Sequence, residues 1–188
     1  MVEGLVRHVD MRAALGLESG TVVVVPYDSR WVQLFEEAAA EVRAAIGANI
    51  IDVHHVGSTA VPGLAAKPII DMLVSIPDFE RGRELVPALA QLGYEFRPQE
   101  EIPDRHYFRR RHGTIRTHHL SLAEPDSHHY RATIAFRDAL RSDPALAHEY
   151  AALKLGLSDR FPRDRIAYLD GKTAFVHRVL AAVGHSDP

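Results

Sequence analysis

The 188-residue chain contains no cysteine. That removes disulfides, thiolate metal sites and thiol nucleophiles together, so any metal must be held by His, Asp or Glu. Lysine is scarce, with Lys67, Lys154 and Lys172 standing against 19 arginines. No run of about 18 apolar residues occurs, and no basic flank leads into an apolar stretch of about 7–15 residues near Met1. Neither a membrane span nor a secretory leader is therefore expected, and a reducing, cytoplasmic location is. The Gly-x-x-x-x-Gly-Lys-Ser/Thr phosphate loop of kinases is missing, as are internal repeats and low-complexity tracts. A net charge of −3 supplies no global attraction to polyanions. No specific nucleic-acid partner is expected, and any phosphorylated ligand has to be met by a local cluster.

What is present suits a single globular domain, with 46% apolar and 25% charged residues. Residues 1–20 read as a peripheral arm and 21–188 as the domain, its sheet core at about 21–125 and C-terminal helices at about 126–183. Asp28-Ser29 can cap a helix carrying Trp31, Leu34, Phe35, Ala38, Val42 and Ile46 on one face and ending at Gly47. Ile50 to Val56 and Pro68 to Ile76 read as strands, followed by a helix from Asp78 to Gly93. Strands are expected at Tyr94 to Arg97, His106 to Arg110 and Ile115 to Leu122. Three helices should follow, capped at Asp126, started by Asp143-Pro144, and traced by Ile166, Leu169, Val176 and Leu180. Strands with two intervening helices and then helices alone point to an α+β or mixed α/β chain, with a sheet covered on one face.

The densest chemistry lies between His54 and Asp71. A strand ending in Gly57-Ser58-Thr59 offers backbone N–H groups and hydroxyls suited to phosphate oxygens. Lys67 adds a cation. Asp71 stands alone in an apolar strand, where a carboxylate is costly unless paired, hydrogen-bonded or metal-bound. The competing readings are a tight turn with surface hydroxyls and an Asp71 held by an arginine. On the strand Ile115 to Leu122, alternation puts Thr117, His119 and Ser121 on one face and Arg116, His118, Leu120 and Leu122 on the other. Only His119 of the pair should then face the site. Six of 12 histidines fall between residues 106 and 129, and with Arg105, Arg109, Arg110, Arg111 and Arg116 they suggest a cationic patch. A charged strand edge is the alternative. His8, His148, His177 and His185 read as bystanders.

The residues Tyr27, Trp31 and Phe35, the run His55-Val56-Gly57-Ser58-Thr59-Ala60-Val61-Pro62-Gly63-Leu64 and the run Lys67-Pro68-Ile69-Ile70-Asp71 resemble the GrpB family. So do Tyr107-Phe108-Arg109, Thr117-His118-His119-Leu120, the Phe136–Arg141 segment, Tyr150 with Lys154, and Tyr168 with Lys172 and Phe175. The resemblance implies an α+β, nucleotidyltransferase-like mixed sheet covered by helices, with a C-terminal helical bundle. It implies phosphate contacts from Gly57, Ser58, Thr59, Lys67, Arg109, Lys154 and Lys172, and Asp71 with His119 as catalytic and metal-holding residues. A divalent Mg, Mn or Zn ion is the implied cofactor. The family's usual second carboxylate would fall at position 73, which is Leu73, so one carboxylate would have to do the work of a pair. Three functions are consistent with this reading. They are nucleotidyl transfer on a nucleotide or other phosphorylated small molecule, a non-catalytic module with a protein partner like the domain fused to dephospho-CoA kinase, and hydrolysis at a single metal.

Overall fold

The computed structural model describes residues 14–100 and 102–185. Helix α1 spans Arg30–Ile46 and buries Trp31, Phe35, Ala38, Ala39, Val42 and Ile46 along one stripe. Its cap comes from Asp28, whose carboxylate accepts from the Arg30 N–H at 2.9 Å, while the Ser29 hydroxyl makes no capping bond. Strands β2 (Asp52–Val56), β3 (Ile70–Ser75), β4 (Tyr94–Phe96), β5 (His106–His112) and β6 (Ile115–Ala123) form one sheet in the order β2-β3-β6-β5-β4. The β3–β6 pair is parallel and the remaining pairs are antiparallel, so the sheet is mixed. Helix α2 (Val86–Gln91) follows a 3-10 stretch at Glu80–Leu85, so the expected long helix from Asp78 is short, with Pro87 in its first turn.

The even positions of β3, Met72 and Val74, join Leu120, Leu122 and Phe108 beneath α1 and α2 in the main core. The opposite face is not bare, as the sequence reading had it. Leu73, Val56 and Ala123 form an apolar strip there, and α3 (His128–Ser142) covers it with Tyr130 and Ile134. Helices α4 (Pro144–Arg160) and α5 (Arg165–Ala182) pack with α3 around Tyr150, Phe175 and Val179. Asp143 caps α4 as expected, accepting from the N–H groups of Ala145 and Leu146, whereas α3 is capped by Ser127 rather than Asp126. The buried face of α5 carries Tyr168, Phe175, Val179 and Leu180, and Ile166 is 71% exposed. Among the described residues no helix is long and apolar enough to cross a membrane. The α+β class, the mixed sheet and the C-terminal helical bundle are those the sequence implied.

Residues 1–13 of the expected arm, His8 among them, lie outside the described residues. Residues 14–20 are integrated with the rest. Strand β1 (Leu17–Glu18) pairs with Ile115 and Arg116 of β6, and the Trp31 indole donates to the Ala14 carbonyl at 3.0 Å.

Candidate functional site

A cavity of about 440 Å³ opens on the face of the sheet away from α1. The sheet contributes Asp71 from β3, Tyr107 from β5 and His119 from β6; the β2–β3 connection contributes Gly57, Ser58, Thr59, Lys67 and Ile69. Tyr150 and Lys154 enter from α4, and Arg165, Tyr168, Leu169 and Lys172 from α5. The one-turn spacings on these helices place each set on a common face. Glu100 and Arg105 complete the wall from the β4–β5 connection. Of the residues expected to form the site, all but Arg109 line this cavity.

Parallel pairing sets Asp71 beside His119, and the Asp71 Oδ1 atom accepts from the His119 Nδ1–H at 2.9 Å. Asp71 is thus held by an imidazole and not by an arginine, and 37% of its side chain remains open to the cavity. Burial would raise the carboxyl pKa, but the His119 hydrogen bond and the neighbouring Lys67 and His55 charges outweigh it and hold the group below its ordinary value. Burial pushes the His119 imidazole down against the pull of Asp71, leaving it neutral near pH 7. With its proton on Nδ1, the ring presents the lone pair of Nε2, which is buried and has no hydrogen-bond partner.

Every lysine in the chain lines this cavity. The Lys67 and Lys172 ammonium groups lie 5.2 and 4.7 Å from the centre of the Tyr168 ring, and Lys154 lies 4.6 Å from that of Tyr150. Lys154 also donates to the Ala65 carbonyl. Among the described residues none of the three has a carboxylate within ion-pair distance. Burial, then mutual repulsion with Lys172, lowers Lys67 and Lys154 to about 7. Burial lowers Lys172 to about 8, although Asp71 partly offsets it.

Several expected roles are corrected by these contacts. The Thr59 hydroxyl accepts from the His55 ring at 3.0 Å and donates to the Ile69 carbonyl at 3.3 Å, so it braces the loop and is not free for a phosphate. Arg109 does not line the cavity: it is paired with Glu100 and lies 5.5 Å from the centre of the Tyr107 ring, two residues that do. Asp138 binds Arg137 at 2.7 Å and makes no ion pair with Lys154 or Lys172. The cationic patch is dispersed: Arg110 pairs with Glu41, Arg111 with Glu95, and His106 stacks on Phe79. Alternation holds for His118 and His119, which face opposite sides, but a register shift between Arg110 and Arg111 leaves Thr117 as an extra residue in β6. Thr117 thereby lines the same surface as His118, against the expected alternation, and the Arg116 guanidinium donates to the Glu18 and Thr21 carbonyls at 3.1 and 3.0 Å.

Glu100 and Arg165 were absent from the sequence reading. Glu100 sits in a short 3-10 turn with no distinguishing pattern and is 3.8 Å from Arg165. Arg165 did carry a signal, since it precedes Lys172 by two helical turns on one face.

The donor set does not fit a divalent metal. Leu73 occupies the place of a second carboxylate and is wholly buried against Val56, Ala123, Tyr130 and Ile134. Among the described residues no group of three or more His, Asp or Glu side chains converges. Asp71 has already given one oxygen to His119, and beyond the histidines the charge that couples to it is that of Lys67. A magnesium pair needs bridging oxygens and a lone zinc needs about three protein ligands.

The profile of the GrpB protein family matches residues 21–182. This chain belongs to the GrpB family. Among its GrpB-family relatives, a UPF0157 protein of Pseudomonas aeruginosa is 40% identical over 165 residues, covering 85% of this chain and 66% of that one. The UPF0157 protein YqkA of Bacillus subtilis is 34% identical over 155 residues, 82% of this chain and 45% of YqkA. This chain therefore spans less than two thirds of both. The glutamate-rich protein GrpB of Alkalihalophilus pseudofirmus is 31% identical and is covered over 98% of its length. The crystal structure of the conserved protein GrpB from Enterococcus faecalis superposes with a TM-score of 0.79 at 35% identity, over 85% of this chain and 96% of the other. A weaker likeness, with a TM-score of 0.49 at 15% identity over 73% of this chain and 43% of the other, is to Cid1 in complex with its short product ApU.

Proposed function

We propose that this GrpB-family protein binds a nucleotide or similar phosphorylated small molecule in the cavity between Asp71, His119 and the three lysines, and transfers its nucleotidyl group to a hydroxyl. The observation that carries this reading is the convergence of every lysine of the chain on one cavity in which, among the described residues, no carboxylate lies within ion-pair distance of them. Buried cations without a counter-ion are costly, and an anionic ligand supplies what the fold omits. In the transfer, an acceptor oxygen attacks the α-phosphorus and the bond from phosphorus to the bridging oxygen of the leaving group breaks. The lone pair of His119 Nε2 takes the acceptor proton, with Asp71 fixing the ring through Nδ1. Lys67 and Lys172 face the charge that gathers on the departing phosphates. A cytoplasmic location accords with such a ligand.

Thermal denaturation of the full chain tests the binding. Nucleoside triphosphates at about tenfold excess over Kd should raise Tm by about 3–6 °C, and Lys172→Met should abolish the increment without lowering the unliganded Tm. If no phosphorylated compound shifts Tm under any metal condition, the reading is wrong. A second reading has one observation in its favour: a dephospho-CoA kinase of Mycolicibacterium paratuberculosis is 30% identical over 133 residues, which cover 68% of this chain and 27% of the kinase. Under it the chain is an accessory module, and co-elution with such a kinase in the absence of any ligand shift would be the result.

A further inference from the structure

The cavity is lined by five cationic side chains, three of them the lysines, and by two carboxylates. Neither carboxylate is spare: Asp71 is engaged by His119, and Glu100 by Arg109 and Arg97. Phosphate chemistry at a two-carboxylate site relies on divalent ions to neutralise the phosphate oxygens. Here an apolar Leu73 has closed over one coordinating position, and ammonium groups line the same cavity as the other. Two cations on the Tyr168 ring form a fixed positive surface that a compact oligoanion can bridge.

Resting on the phosphate-binding reading above, we infer that this chain takes its oligophosphate free of divalent metal, with Lys67, Lys154 and Lys172 supplying the charge that bound ions supply elsewhere. Magnesium is then an antagonist. A magnesium-bound diphosphate or triphosphate has lost two negative charges and brings a strongly hydrated dication into a cavity whose own excess is positive. Asp71 opposes the ligand's charge, and the bound oligophosphate takes over its part in favouring the ammonium forms of the lysines, so its charge is dispensable for binding.

Calorimetric titration of the full chain with inorganic pyrophosphate at constant ionic strength reads this directly. Kd should be about tenfold weaker, or more, in excess magnesium than in EDTA. Asp71→Asn keeps an oxygen to accept from His119 and removes one like charge, so in EDTA it should bind as tightly as the wild type or severalfold more tightly. Binding that requires magnesium, equal affinity in both buffers, or loss of binding on Asp71→Asn in a variant with unchanged Tm overturns the inference while leaving a phosphate site in place. Absence of binding by pyrophosphate and nucleoside triphosphate in both buffers overturns the phosphate reading itself. The comparison of buffers uses the unaltered protein, so it stands even where the variant fails to fold.

Discussion

Gly57 joins β2 to the cavity at φ +69° and ψ −171°, a backbone region that side-chain-bearing residues scarcely enter. A Cβ there would also stand 2.4 Å from the Asp71 Oδ2 atom. Two costs therefore fall on one substitution. Gly57→Ala is expected to destabilise the chain by about 2–3 kcal/mol, from backbone strain plus displacement of the carboxylate, and to reduce the ligand-induced Tm increment because Asp71 no longer holds His119. Urea denaturation and the thermal shift measure these separately. An unaltered denaturation midpoint would show that the backbone at Gly57 relaxes freely. The reason for this glycine was half legible in the sequence. Gly57-Ser58 and a lone carboxylate in an apolar strand announced a polar site, but the direct approach of residue 57 to Asp71 depends on the antiparallel pairing of Val56 with Asp71, which spacing alone does not give.

At the scale of elements, the loop from His55 to Ala60 is held from outside the sheet by α3. The Arg137 guanidinium donates to the His55 carbonyl at 3.1 Å and that of Arg141 to the Ala60 carbonyl at 2.9 Å. Replacing both by methionine keeps the aliphatic stems and removes two charge-assisted bonds, so a loss of about 2–4 kcal/mol is expected. Weaker nucleotide binding should accompany it, since neither arginine lines the cavity and the effect must travel through the loop. A stability loss with unchanged affinity, seen by denaturation and titration together, would show that the loop keeps its shape without α3. Hydrophobic period located the three C-terminal helices, because Asp143-Pro144 and the aromatic spacing are local signals. It misjudged the buried face of α5, where Ile166 points outward, since Tyr168 and Lys172 turn toward a cavity that no period of apolar residues describes. The bulge in β6 was equally hidden. Alternation assumes a regular ladder, and the extra residue at Thr117 reverses every side chain before it.

For the molecule as a whole, the unpaired lysines and the buried histidines set how stability changes with pH. Lys67 and Lys154 fall from 10.5 to about 7 and Lys172 to about 8 on folding, chiefly through burial. The unfolded chain thus holds more protons than the folded one between these values, and stability rises with pH across that window. These groups contribute fully above about pH 10.5, and their contribution is lost as pH falls toward 7. Burial also lowers His55 and His129 to about 4 and His118 to about 3 from 6.5, so a second decline is expected as pH falls from 6.5 toward 4. A bound nucleotide inverts the upper limb. It favours the ammonium forms, so binding takes up protons, while its own terminal phosphate is already ionised above about pH 6–7. The increment in Tm given by ATP in EDTA should therefore be largest near pH 7 and shrink steadily toward pH 9, with the liganded and unliganded curves converging. Thermal scans at half-unit intervals of pH, repeated on Lys172→Met, measure both limbs. An increment that stays constant from pH 7 to 9 would mean that the ligand does not rely on the lysines, whatever else holds it in the cavity.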